Sequence, residues 1–333
     1  MKGFDAEFRD LDHYIRVITD RIWEGRRLDD IRRYYGERCA VETPSSVSIG
    51  IEPVIEGTRA TLAAFPDRRL LAEDVIASGD ESTGFLSSHR IASPMTHAGP
   101  GAFGAASGRP LFVRTIADCV CLDNRIVHEW LVRDQAAIAR QIGSHERDLA
   151  AAWLAQRGGW HKPLMPPPPL PYRSFDDPHP LARRHARVLQ AQWLDDSAAA
   201  DQALQAWAAD GVIAALPGGQ AAVGVAALQR FWRGLTGALR ADSVAIEHLV
   251  RNPRPGRADA VAMRWRVQAR HEGEGRYGKP GGGPVEVLGI SHAELEGERV
   301  VREWHLIDDV ALWMQVLAAQ PAAIPAAIPV ARH

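Results

Sequence analysis

Val127-His128-Glu129-Trp130-Leu131-Val132-Arg133-Asp134 and Val301-Arg302-Glu303-Trp304-His305-Leu306-Ile307-Asp308 are one strand written twice. Each run alternates in hydropathy, follows a turn pair (Asp123-Asn124; Gly297-Glu298), and leads into an apolar helical stretch. Working outward, residues 97–134 and 271–308 align without a gap at an offset of 174, since 271 − 97 = 308 − 134 = 174. His97/His271, Gly99/Gly273, Gly104/Gly278, Pro110/Pro284, Glu129/Glu303 and Trp130/Trp304 are among the identical pairs. Rare residue types matching at one fixed offset establish a duplication.

Upstream, the copies correspond with what reads as unequal loops. Ile15 to Tyr35 and Ala186 to Trp207 are amphipathic, with Trp23 and Trp193 in comparable places. Short apolar strands follow (Cys39–Pro44; Gly211–Pro217), then a helix opened by Gly57 in one copy and Gly224 in the other. Alternation then predicts strands at Ile76–Ser78, Ser82–Ile91 and Leu111–Leu122, and at Val244–Leu249, Ala260–Ala269 and Val285–Leu295. Helices followed by a meander make each copy α+β, with helices on one face of a curved, mostly antiparallel sheet. The expected layout is residues 1–143 for the first copy and 181–319 for the second. Residues 144–180 form a joining segment, and 320–333 a Pro/Ala-rich, poorly ordered tail. The joining segment holds a short helix (His145–Gln156) and a polyproline spacer (166–171).

Composition narrows the function classes. The 333-residue chain is 46% hydrophobic and 24% charged with net charge −2, so it carries no basic footprint for nucleic acid. No apolar run reaches the roughly 18 residues that cross a bilayer. The charged N-terminus does not read as a signal peptide. Cys39, Cys119 and Cys121 read as buried reduced thiols of a cytoplasmic protein.

The run Thr96-His-Ala-Gly, then Ser107-Gly-Arg-Pro, then Asn124-Arg-Ile-Val-His-Glu-Trp with Asp134-Gln and a helix, resembles the SnoaL-like polyketide cyclases of the nuclear transport factor 2-like superfamily. Both copies resemble them over about 130 residues. The resemblance implies tandem cone-shaped domains, each with an apolar pocket, working without metal or organic cofactor through a carboxylate or histidine base. In those cyclases the catalytic carboxylate immediately follows the aromatic position of the last strand. That position is Leu131 here, which cannot move a proton, and His305 in the second copy, which can.

Alternation puts Glu303 and His305 on one face, so the second copy is expected to be the catalytic half. His305 is its base, Glu303 the partner and His271 a donor to developing oxyanion charge. His97, Glu129, Trp265, Trp304 and Ser291 are expected to bind the ligand. Competing readings stand beside these. His305 could be a structurally bonded histidine, and Glu129 and Glu303 surface partners of Arg125 and Arg299. His97 and His271 could be turn residues, and Trp193, Trp207, Trp232 and Trp265 core packing. Asp134 and Asp308 read as helix N-caps. Asp118 and His292 are expected on the outer sheet face, where such domains pair.

The preferred reading is a cofactor-independent lyase, isomerase or cyclase acting on a hydrophobic carbonyl compound. The alternative is a non-catalytic binding or scaffold protein built as an internal pseudo-dimer, with a homodimer also open.

Overall fold

The computed structural model describes residues 1–320; the expected disorder of the tail lies outside the described residues. In the first copy α1 (Leu11–Thr19) widens into a π turn at Asp20–Glu24, so the long amphipathic run is broken before α2 (Ile31–Tyr34). Strands β1 (Tyr35–Thr43) and β2 (Ser46–Ile49) form a hairpin that leads into α3 (Ile51–Ala64). The meander is β3 (Leu71–Asp80), β4 (Gly84–Thr96), β5 (Pro110–Leu122) and β6 (Arg125–Arg133), closed by α4 (Gln135–Ile142). The joining helix is α5 (Glu146–Arg157).

The second copy repeats the order. It comprises α6 (Pro180–Leu194), α7 (Ser197–Trp207), β7 (Ala208–Leu216), β8 (Gln220–Val223), α8 (Val225–Thr236), β9 (Leu239–Asn252), β10 (Asp259–His271), β11 (Pro284–Glu296), β12 (Arg299–Leu306) and α9 (Asp309–Ala318). The sheets run β2-β1-β6-β5-β4-β3 and β8-β7-β12-β11-β10-β9. All pairings are antiparallel except β1 with β6 and β7 with β12. Both copies are therefore the α+β cone expected.

The duplication runs further than the upstream sequence suggested. Ser46 pairs with Thr43 as Gln220 pairs with Leu216, Val75 with His89 as Leu249 with Met263, and Ser93 with Val113 as Val267 with Val287. Thr43 and Leu216 differ by 173, but from Ser46/Gln220 onward every step keeps the offset of 174, so residues 46–134 map gaplessly onto 220–308. The glycine that opens the first copy's helix is Gly50, at φ +100°, matching Gly224 at +80°; Gly57 lies inside α3. Pairing Gly57 with Gly224 from sequence is seven residues off, because both glycines precede similar apolar runs.

The closing hairpin of the first copy turns through Asp123 and Asn124, both left-handed (φ +45° and +64°). Asp134 and Asp308 cap α4 and α9 through the amides of Ala137 and of Val310 and Ala311. Asp134 also accepts from the amides of Gly218 (2.8 Å) and Gly219 (2.9 Å), tying one copy's cap to the other's β7–β8 turn.

The outer faces of the two sheets pack against each other. Leu86, Ile116 and Trp130 meet Leu288, Ile290 and Leu306, and Tyr172 from the joining segment joins them. The contact is self-complementary. Arg90 lies 3.5 Å from the centre of the Trp304 ring, and Arg264, its equivalent, lies 3.5 Å from Trp130. Asp118 accepts from Arg264 at 2.7 Å, while His292 faces Ser88 (2.8 Å) and Arg90 (3.0 Å). This is the outer face expected for Asp118 and His292. Helix α5 packs on the second copy, burying Leu149, Ala150 and Trp153 in its core. All three cysteines are free thiols in the first copy's core.

Candidate active site

Inward-facing residues of each sheet alternate as the pleat requires. In the first copy the inward row is His89, Ile91 and Ser93 on β4, Thr115, Ala117 and Cys119 on β5, and Glu129, Leu131 and Arg133 on β6. These residues border a cavity of about 290 Å³, roofed by α1 and α3. Glu129 is 5% exposed and accepts from the Tyr35 hydroxyl at 3.1 Å. Burial pushes its carboxyl up to about 7, against the Tyr35 hydrogen bond and the Arg133 charge, which favour the carboxylate. Burial raises Tyr35 well above its ordinary value, so it stays a donor. Burial takes His89 down to about 3, so that ring is a neutral imidazole.

The second interior is filled. The same register replaces Gly57, Thr58 and Thr61 of α3 with Phe231, Trp232 and Leu235 of α8, and Ile91 with Trp265. Thr115 becomes Gly289, and a Cβ there would stand 2.2 Å from the Trp265 ring, which occupies that space. Trp193 packs on Trp265 and Trp232 with ring centres 6.0 and 6.3 Å apart.

Within this core lies a line of hydrogen bonds. Trp265 donates to Ser291 Oγ (2.9 Å), Ser291 faces His305 Nδ1 (2.9 Å), and His305 Nε2 faces Glu303 (3.1 Å). It is satisfied end to end if Ser291 donates to Nδ1 and His305 carries its proton on Nε2. Burial alone would raise Glu303, but the facing His305 carries it below the usual range. His185 sits 3.8 Å from Glu303. Its Nδ1 accepts from Trp207 at 3.1 Å and burial takes it down to about 4, so it acts as a neutral neighbour and not an ion-pair partner. Ser-His-Glu in sequence this close resembles a nucleophilic triad. Here the serine is fully buried beneath indoles, which closes the serine to substrate.

The structure thus brings Glu303, His305, Ser291 and Trp265 together, but not around a cavity; among the described residues, the first copy's interior holds the open chamber. That departs from the emphasis expected from His305, because Trp232 and Trp265 occupy the second interior. His271 and His97 close their hairpins, each holding backbone partners on both sides of its loop. His97 also faces Ser107 (3.1 Å) and packs on Phe65. Trp304 lies at the interface under Arg90, on the opposite face from Glu303. Neither glutamate pairs with Arg125 or Arg299, which bond backbone carbonyls.

Sequence reading missed Tyr35, Arg68, His89 and Arg133 of the chamber. Each is absent from its partner position in the other copy, so a search for repeated residues passes over them.

With this geometry the similarities to known proteins fall into place. The SnoaL-like polyketide cyclase family matches residues 14–142 and again 183–316. The chain belongs to that family. Solved structures similar to single copies include the putative polyketide cyclase IdmH from Streptomyces antibioticus. It is 21% identical, with 39% of this chain and 96% of that one covered and a TM-score of 0.35. A protein from Jannaschia sp. CCS1 described as a putative SnoaL-like polyketide cyclase is 16% identical over 45% and 99%, with a TM-score of 0.35. TsrD from Streptomyces laurentii is 21% identical over 40% and 99%, also at 0.35. A comparison with curated proteins finds no match to the chain.

Proposed function

We propose that this SnoaL-like chain is a cofactor-independent cyclase or isomerase whose chemistry runs in the first copy, with Glu129 as the general base. The carrying observation is a buried carboxyl held near 7 on the wall of the open, mainly apolar chamber. A base of that acidity is divided between its two forms at neutral pH, so it can take a proton and return it. Glu129 removes a proton from carbon next to a substrate carbonyl; the C–H electrons move through the new C=C to leave the carbonyl oxygen as an enolate. The enolate carbon then attacks a second carbonyl, or is reprotonated elsewhere, and Glu129 gives its proton back. Charge developing on oxygen is favoured by the cationic side chains of the chamber. Tyr35 holds the carboxylate in one orientation.

The second copy is the structural half. Its tryptophan-filled interior favours the scaffold reading there, with the His305–Glu303 pair satisfying buried polar groups.

Deuterium uptake from heavy water at the α-carbon of aromatic ketones, followed by NMR, tests the assignment. Glu129→Gln should slow exchange by about 10²-fold or more, and His305→Ala should leave it unchanged. Full exchange in Glu129→Gln would remove the proposed base.

A further inference from the structure

We infer that the ligand of the first copy's chamber is an anion, a hydrophobic compound carrying a carboxylate or similar oxyanion, clamped by Arg68 and Arg133. The inference rests on the chamber being the ligand site, as proposed above, and adds the ligand's charge. Both arginines border the cavity. Arg68 is 6% exposed, and its Nε has no hydrogen-bond partner. Neither guanidinium makes a hydrogen bond or ion pair with a described residue, whereas the buried arginines elsewhere are paired. Arg264 holds Asp118 and Glu247, Arg90 holds Glu73, and Arg276 holds Asp309. Burial, with Arg133 and Arg26 nearby, drags Arg68 down to about 9, which still leaves it charged at neutral pH. His89 Nε2 and Gln135 Oε1, both on the cavity wall, are also without partners.

Charge counting gives the sign. Two guanidiniums face Glu129, ionised about half the time near pH 7, and Asp308, which burial raises to about 8 and so keeps mainly neutral; Glu24, the other carboxyl near Arg68, is taken up by Arg69 and the Leu70 amide. The chamber therefore carries at least one uncompensated positive charge, and isolated buried charge is strongly unfavourable unless a partner arrives. The duplication supplies an internal control. Where the chamber is filled, the same register puts Ile307 at the place of Arg133, Asp242 at that of Arg68 and Met263 at that of His89, while Glu303 is kept. The cationic groups disappear with the space. The fold therefore does not need them, and a ligand explains them. Planar guanidiniums suit a carboxylate, which accepts two parallel N–H bonds.

Calorimetry with 2-naphthoate and its neutral isostere 2-naphthamide on the full chain tests this. Naphthoate should bind at least about tenfold more tightly than the amide, with affinity falling as salt rises. Arg133→Gln and Arg68→Gln should each lose about tenfold for naphthoate and little for the amide. Both variants should unfold at or above the wild-type temperature, because each removes an unpaired charge. Glu129→Gln should keep or strengthen naphthoate binding. Equal affinity for the two probes, wild-type naphthoate affinity in Arg133→Gln, or no naphthoate binding at about 10 mM would each overturn the inference. If Arg68→Gln does not fold, Arg133→Gln carries the test. Unchanged ketone exchange in Glu129→Gln sinks the catalytic assignment and leaves this one standing, so the two failures are distinguishable.

Discussion

Replacing Glu129 with glutamine should stabilise the protein at high pH and do almost nothing at low pH. An ordinary glutamate titrates near 4.5, whereas burial holds Glu129 at about 7 in the folded chain. Below about 4.5 folded and unfolded states are both protonated, and the wild type has its full stability. Between there and about 7 the unfolded chain gives up its proton while the folded chain keeps one, so stability falls as pH rises. Above about 7 the loss is complete. At about 1.4 kcal/mol per tenfold in acidity it comes to about 3 kcal/mol. Glutamine cannot ionise and still accepts from Tyr35, so it avoids the loss. With an unfolding entropy of about 2.1 cal/mol/K per residue, 3 kcal/mol is about 4 °C if the chain unfolds as one unit. Asp134 and Asp308 are also raised by burial, to about 6 and about 8. They titrate alike in both proteins, so the wild-type-minus-variant difference isolates Glu129. The assay is a set of urea or thermal melts from about pH 5 to about pH 8.5. Exchange activity in the wild type should rise with pH through the same midpoint, since the base must be ionised. A stability difference that is flat with pH, or one favouring the wild type above about pH 7, refutes the burial argument for Glu129.

Other perturbations probe the partition between the copies. Arg264→Met strands the buried carboxylate of Asp118 at the sheet–sheet contact and should cost about 3–5 kcal/mol in urea unfolding; a cost below about 1 kcal/mol would mean the pair does not hold the copies together. Gly289→Thr drives a side chain into the Trp265 ring and should cost more than about 3 kcal/mol. Adding Trp265→Ile restores the first copy's Ile91/Thr115 combination, so the double variant should be more stable than Gly289→Thr alone, a coupling that a double-mutant cycle measures. His305→Ala should lower stability by about 1–3 kcal/mol at neutral pH, since it leaves Glu303 and Ser291 without their buried hydrogen-bond partner. Its naphthoate binding should stay at the wild-type value, and a loss there would return catalytic weight to the second copy.

The fold was readable because two independent signals coincide. Alternation on β5, β6, β11 and β12 marks the strands, and the invariant offset of 174 marks the duplication. Trp130 and Trp304 repeat because both serve the interface, and Asp134 and Asp308 because both cap helices. The site was harder to read for the same reason. Repetition finds what the copies share, and the chamber is what they do not share. Tyr35, Arg68 and Arg133 carry no repeat signal. The decisive volumes, Thr58 against Trp232 and Ile91 against Trp265, emerge only once Gly50, not Gly57, is matched to Gly224. The short strands β2 and β8 were missed because four residues hold too little alternation to register.

The repeated glutamate shows how far one residue type can be divided by its surroundings. Glu129 and Glu303 occupy the same place on the same strand, and both are buried. Glu129 faces open space, a tyrosine hydroxyl and an unpaired arginine, and its carboxyl is pushed up to about 7. Glu303 faces His305 in a packed core and is held below the ordinary range. The difference follows from the residue two places on, Leu131 or His305, and from the tryptophans that close the second interior. An open chamber with unpaired cations costs stability, and a small cone alone has little to spare. The second copy, filled and joined to the first through Arg90, Trp130, Arg264 and Trp304, places a packed core beside that chamber. On this account the two halves could not exchange roles by changing one residue. A base moved to position 305 meets no cavity, and a tryptophan moved to position 91 would close the one that exists.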